Sequence, residues 1–541
     1  MNKMLLIIFF CSTLLTVFAK NQIIVSFNNK GTQIKTEDYN ATSLEKRNQN
    51  NIAFNYTDFP INESYIQKIE NLNCKLKAKS KWLNLALFDI EDKAVITEIQ
   101  QLSFVKQVQF IPSTTSNKSL EKLNTNNKTF NNARLLYDDT LTYGQIHQMN
   151  GDYLHDLGFN GQGKIIAVLD AGFINANVIT GLQTVFNNNQ VLGTWDFVQN
   201  DTTVYESHTH GLYVFGLMAG QITGKYKGTA TQSNYYLFKT ENAASELLSE
   251  EVFLAQALEQ CDALGVDVVN ISLGYTTFDS VAQNHSYADL DGNTTIAAQA
   301  VNLATSKGIL VVTSAGNEGN NSWRYISTPA DATGALTVGA VYINGLPTSF
   351  TSKCFPNYFQ VKPNVAACGA NDYILSPYNT IGTGSGTSFS SPLVAGMSAS
   401  LWQAFPTLNN LQIKAAIEQS ASLYPSFDSL IGYGIPDFKK AYEYLQQITP
   451  INQNRLSNIK IYPTLIVNNS NNIFINNLID NQSTLIYIIN NQGRIMYSTG
   501  NFIANTNEMI PSNQISQLSS GLYHIIIQQN GKSNNFKFVK Q

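Results

Sequence analysis

Charge is the scarcest ingredient of this 541-residue sequence: Asp, Glu, Lys and Arg together make up 13%, about half their usual share. With 34 Lys and Arg against 38 Asp and Glu, the net charge is −4. That excludes a nucleic-acid binder driven by bulk positive charge and argues against an acidic tail. Cysteine is rarer still, at 5 residues, and none are in C-x-x-C spacing, so a structural zinc site is not expected. No H-E-x-x-H occurs, which removes the main helical zinc motif. Past the first residues there is no run of about 18 apolar side chains, the signature of a membrane span. Asn, Gln, Ser and Thr supply the missing polarity. The apolar share of 43% is enough for a sizeable core, and the length calls for two to four domains.

The first segment reads as an address. Lys3 is followed by the apolar runs Leu5–Phe10 and Leu14–Phe18, and Val17-Phe18-Ala19 is a small-residue cleavage site. The run is shorter than the roughly 20 residues a span needs, so 1–19 is read as a signal peptide and the mature chain as secreted or surface-held. Export permits disulfides. Cys11 leaves with the signal, and Cys74, Cys261, Cys354 and Cys368 remain. Cys354 and Cys368 are close enough in sequence to bridge a surface loop, and two free thiols are the alternative.

Three patterns follow. Over 20–112, strands at Ile23–Phe27, Leu76–Ser80, Leu85–Asp89 and Val105–Ile111 alternate with helical spacing at Glu63–Leu72 and Lys93–Leu102, a small α+β split βαβ unit. An Asn-, Thr-, Ser- and Lys-rich linker occupies 113–142. From 143 to 448 helices alternate with buried strands such as Lys164–Leu169, Val266–Ile271 and Ile309–Thr313. This predicts an α/β domain with a central parallel sheet and helices on both faces. From 456 to 541 only short strands and hairpin turns appear, at Asn490–Gly493 and Gln529–Gly531, as in a small all-β sandwich.

The chemistry concentrates where strands end and helices begin. Asp170 closes an apolar strand before Ala171-Gly172. His210 precedes Gly211 at a helix start, with His208 competing for its role. Ser388 lies in Gly384-Ser385-Gly386-Thr387-Ser388-Phe389-Ser390-Ser391-Pro392. A serine hydroxyl becomes a nucleophile when an imidazole takes its proton, and a carboxylate on the other ring nitrogen fixes the imidazole's tautomer. Asn317, in Ala315-Gly316-Asn317-Glu318-Gly319 beyond a buried strand, offers a neutral donor for a developing oxyanion, beside the Ser388 N–H at a helix start.

In this order, Asp-x-Gly, His-Gly, Ala-Gly-Asn and Gly-Thr-Ser-x-Ser-x-Pro resemble the subtilisin-like serine proteases over about Gly144–Leu445. The resemblance implies a secreted serine endopeptidase with Asp170, His210 and Ser388 as triad and Asn317 as oxyanion donor. Ser272-Leu273-Gly274 would pair with substrate backbone and wall the specificity pocket, with Gly316 opposite. Two positions depart from the family pattern: Ala171 replaces Ser or Thr, and Leu212, beside His210, replaces Thr. The rival expectation is therefore a catalytically weakened surface-binding protein on the same scaffold.

The N-terminal unit resembles the family's propeptide, which implies a proenzyme inhibited by its own segment and cut within 113–142. The tail, with Ile461-Tyr462-Pro463, Ser520-Gly521-Leu522-Tyr523 and Lys537-Phe538-Val539-Lys540, resembles the sorting domain of type IX secretion substrates. Expected partners are protein or peptide substrates, the propeptide and the secretion machinery reached through the periplasm, with no nucleic acid. No cofactor is required for the chemistry. Structural calcium stays open, with Asp289-Leu290-Asp291-Gly292-Asn293 either a calcium loop or an acidic turn before a helix.

Overall fold

The computed structural model describes residues 20–113, 140–356, 358, 360–448, 459–467, 472–490, 494–529 and 532–541. The expected signal peptide at 1–19 and most of the linker lie outside these residues. The chain up to Tyr442 forms one compact unit and Glu443–Gln541 a second. No helix among the described residues is long and apolar enough to cross a membrane.

The N-terminal domain contains β1 (Asn21–Phe27), α1 (Ala41–Gln49), α2 (Glu63–Glu70), β2 (Lys75–Ser80), β3 (Leu85–Ile90), α3 (Val95–Gln100) and β4 (Val105–Ile111). Its strands pair antiparallel in the order β2-β3-β1-β4. The two-residue period of a strand sends alternate side chains to opposite faces. Ile23, Val25 and Phe27 pack with Ile66 and Ile69 of α2 in the domain's own core. Ile24, Leu85, Leu87 and Ile111 join a different core, that of the following domain. Helix α1 was not expected from the sequence. Asn40 caps it by accepting from Ser43 N at 2.8 Å, and Asn40 N–H and Nδ2 donate to the Ala263 and Leu264 carbonyls of the next domain.

That domain is built on β5 (Ile165–Asp170), β6 (Val191–Asp196), α4 (His210–Ala219), β7 (Asn234–Lys239), α5 (Ser249–Ala263), β8 (Val268–Ile271), α6 (Ile296–Ser306), β9 (Leu310–Ser314), β10 (Leu336–Val341), β11 (Val365–Cys368) and α7 (Thr387–Ala404). The sheet order is β11-β10-β9-β8-β5-β7-β6, parallel throughout. Every residue of β5 is buried, as a parallel strand covered on both faces requires. Chain order reverses between β5 and β8, and a crevice opens beyond the strand ends at such a switch point.

Helices α5 and α6 also carry the N-terminal domain. Ile24, Trp82, Leu87 and Ile111 share a cluster with Leu254, Leu258 and Ala297. At the edge of this junction Arg47 donates to Asp262 through Nε at 3.1 Å and through Nη2 at 2.5 Å, and to Asp58 at 2.8 Å. Lys307 donates to the other Asp58 oxygen at 2.8 Å. All four side chains are buried. Glu259 accepts from Ser80 Oγ, Lys81 N and Trp82 N, and burial pushes its carboxyl up to about 7.

Removing one member of a buried ion network leaves its partners uncompensated. In an uncleavable Ser388→Ala background, Arg47→Ala is expected to destabilise the proenzyme by about 3–5 kcal/mol, measured from urea unfolding. A loss below 1 kcal/mol would mean that water restores the partners.

Among the described residues from 459 onward, the second unit is β-structure apart from the short helix Ser512–Ile515. One sheet joins Lys460–Tyr462, Ile473–Asn476 and Asn507–Ile510. The other runs Leu465–Ile466, Lys532–Lys540, Gly521–Gln529, Gln482–Asn490 and Ile495–Ser498, with Phe502–Ala504 on Gln482–Asn490. Ile473, Ile475, Ile486, Ile488, Ile525 and Ile527 fill one core between them.

Of the two alternatives for the cysteines, free thiols hold: Cys354 and Cys368 are both unpaired. Each lies 3.8 Å from a nearby carbonyl, of Gln360 and Ala370 respectively.

Candidate active site

Asp170 ends β5 and is wholly buried. Its Oδ1 accepts from Ala171 N at 2.7 Å, and His210 Nδ1 lies 2.8 and 3.0 Å from its two oxygens. A carboxylate can only accept, so Nδ1 carries a proton and donates to Asp170, which fixes the ring's orientation. Two glycines permit this approach. Gly211 N donates to Gly172 O at 3.0 Å, and a Cβ on Gly211 would sit 2.5 Å from that oxygen. Gly172 has φ +141°, and a Cβ there would meet the Glu206 carbonyl at 2.7 Å. The Asp-x-Gly and His-Gly pairs are thus two halves of one close crossing.

His208 takes a different place. Its Nδ1 accepts from His210 N at 3.1 Å, because a backbone N–H can only donate. Burial, and then the neighbouring His210, hold its pKa below the ordinary imidazole value. Leu212 is fully buried and is not among the residues lining the cavity described below. Ala171 does line it.

Ser388 sits in the first turn of α7, where its N–H has no helical carbonyl four residues back. Its carbonyl also lacks the usual partner, since residue 392 is proline and has no N–H. Ser272 Oγ fills that gap, donating to Ser388 O at 3.0 Å. In return Ser388 Oγ donates to Ser272 O at 3.2 Å. Asn270, buried at the end of β8, donates to Ser272 Oγ at 3.0 Å and accepts from Ser391 Oγ at 2.8 Å. Sequence reasoning missed the parts played by Asn270, Ser391 and Pro392, although the Ser-x-x-x-Pro spacing was a usable signal.

Asn317 follows β9. Its Oδ1 accepts from Thr387 N at 2.9 Å and Thr387 Oγ1 at 3.0 Å, which fixes the amide so that Nδ2 is left to donate. Gly316 N donates to Thr387 Oγ1 at 3.2 Å. Ser272, Leu273, Gly274, Gly316, Asn317 and Ser388 all line one cavity of about 100 Å³. His210 is not among the lining residues; its ring lies 6.1 Å from that of Phe389, which directly follows Ser388.

In the Asp289–Asn293 loop the carboxylates are engaged with the loop's own backbone and hydroxyls. Asp289 accepts from Ser286 N and Oγ, and Asp291 from Asn293 N, Thr294 N and Thr294 Oγ1, as in a turn leading into α6. Among the described residues no group of three or more His, Cys, Asp or Glu is placed to hold a metal ion.

The profile described as "Subtilase family" matches residues 161–434. The profile "Peptidase S8 propeptide domain, Bacteroidota" matches residues 22–129. The thermostable alkaline protease of Halalkalibacterium halodurans is 28% identical over 353 residues, 64% of this chain and 84% of the relative. Subtilisin Savinase of Lederbergia lenta is 29% identical over 297 residues, 55% of this chain and 97% of the relative. Among solved structures, the MycP3 protease from the type VII (ESX-3) secretion system aligns with a TM-score of 0.44 at 21% identity, covering 57% of this chain and 89% of that one.

Proposed function

The chain belongs to the subtilase family of serine-type endopeptidases, and we propose that Asp170, His210 and Ser388 carry its chemistry, with Asn317 as oxyanion donor. What supports this reading is the double contact of His210 Nδ1 with Asp170, together with a cavity lined by Ser388 and Asn317. The Ser388 hydroxyl turns from the Ser272 carbonyl toward His210 Nε2. Its oxygen attacks the scissile carbonyl carbon as its proton passes to Nε2. The carbonyl oxygen, now anionic, receives hydrogen bonds from Asn317 Nδ2 and Ser388 N. His210 returns the proton to the departing amine. Water then releases the acyl group by the same steps, with His210 again taking and giving the proton.

The weakened-binder reading drew on Leu212, which is fully buried in α4. Asn317→Ala is expected to lower kcat by about 100- to 1,000-fold with KM little changed, since its bond to the substrate strengthens in the transition state. A raised KM at constant kcat would instead make Asn317 a ground-state binding residue.

The N-terminal propeptide domain is proposed to be cut from the peptidase within 113–142 after folding. For the tail we propose cargo recognition by a type IX route, on the strength of its short motifs. Lys540, in the last of them, is buried and donates to the Ile515 and Ser516 carbonyls, so that motif also closes the fold. Deleting the second unit and assaying where the protein accumulates tests this; undiminished export would remove the tail from sorting.

A further inference from the structure

The cavity before Ser388 is lined by four carboxylic side chains, Glu241, Glu246, Glu250 and Glu318, and by no lysine or arginine. Two of the four are structural. Glu241 is buried and accepts from Tyr275 Oη at 2.6 Å. Glu250 is buried and accepts from Asn242 N at 2.9 Å and Leu247 N at 3.2 Å, which holds the loop at the cavity's edge. The other two, Glu246 and Glu318, are only half-buried. Glu318 directly follows Asn317 and is bonded by the neutral Asn321 amide, which does not cancel its charge. The one basic-type side chain at the cavity is His208, held neutral by the bond from His210 N. Such a lining favours positive charge, and low-dielectric walls strengthen that preference.

A second observation comes from the sequence between the two domains. The linker at 113–142 carries Lys118, Lys122, Lys128 and Arg134 against Glu121, Asp138 and Asp139. It thus offers the cleft four cationic side chains, in a chain of net charge −4. The strand leading into it ends beside the cavity's border. Gln283 Nε2 donates to Phe110 O at 3.2 Å, and Gln283 belongs to the loop whose Asp279 N donates to Glu246 O at 2.9 Å.

We infer that the cleft selects peptide segments bearing lysine or arginine through Glu246 and Glu318, and that the first such segment is the chain's own linker. The inference rests on the proposed role of Ser388 and adds a substrate class to it. A side-chain cation bonded to a carboxylate in a partly desolvated cleft is worth about tenfold or more over a neutral isostere.

The test uses matured wild-type enzyme and pairs of fluorogenic peptides that differ only in arginine against citrulline, or lysine against norleucine, at the residue before the scissile bond. The expected ratio of kcat/KM, cationic over neutral, is about 10 or more. It should shrink as NaCl is raised from about 0.05 to 1 M, because screening weakens exposed charge pairs. In the Glu246→Gln/Glu318→Gln double variant the ratio should fall toward 1. Should that variant fail to fold, the wild-type ratio and its salt dependence still decide. The mass of the mature wild-type N-terminus should place the cut next to Lys118, Lys122, Lys128 or Arg134. A ratio at or below 1, with both peptides hydrolysed in a Ser388-dependent way, would overturn the charge selection and leave the proteolytic reading standing. Hydrolysis of neither these peptides nor casein would overturn that reading itself, and this inference with it.

Discussion

Ser388→Ala is expected to lower kcat for peptide hydrolysis by about a million-fold while leaving the fold intact. The fold should survive because the clasp between α7 and β8 keeps most of its bonds. Ser272 Oγ still donates to the carbonyl of residue 388, and Ser391 still donates to Asn270. What disappears is the one oxygen able to form the acyl intermediate. Binding and the oxyanion donors remain, so a residual acceleration over water of about 10³- to 10⁴-fold should persist. The same variant reports on maturation. In a host lacking other proteases the N-terminal domain should stay covalently attached, read directly as the full proenzyme mass. A fully trimmed product would show that another protease makes the cut, and undiminished peptide hydrolysis would remove Ser388 from the mechanism.

His210→Ala should cost nearly as much, and adding it to Ser388→Ala should cost little more, because residues acting as a unit do not contribute additively. The neighbouring histidine separates the candidates. His208→Ala removes one acceptor from His210 N, a single hydrogen bond, so its cost should stay within about tenfold. Measuring kcat for the two single variants is decisive. If His208→Ala were the silent enzyme and His210→Ala the active one, the bonds from His210 Nδ1 to Asp170 would have no catalytic meaning.

Much of the peptidase domain was legible because its signals are local. Runs such as Ile165–Leu169 are apolar throughout, as a parallel strand buried on both faces must be. The residues that meet in the site are each tied to a glycine or a proline that backbone geometry demands. Helix α1 was invisible for the opposite reason. Ala41–Gln49 has almost no apolar period, and its supports, Asp262 and the Ala263 and Leu264 carbonyls, lie more than 200 positions away. The Arg47–Asp58–Asp262–Lys307 network is hidden likewise, since nothing in the neighbourhood of any one of them announces the others. In the tail, Phe502–Ala504 and Asn507–Ile510 went unread because three or four residues are too few to show a strand period.

The exchange of bonds between Ser272 and Ser388 sets a gauge. One of these serines lines the cavity, the proposed wall against which a substrate side chain is measured, and the other is the proposed point of attack. Proline at 392 leaves the carbonyl that locks them together. Their spacing is thus fixed before any peptide arrives, like the jaw of a caliper. Replacing the lining side chains alters which residues fit, yet the bond that is cut stays at the same offset from the one that is read. A protease built this way can change its vocabulary without losing its place on the line.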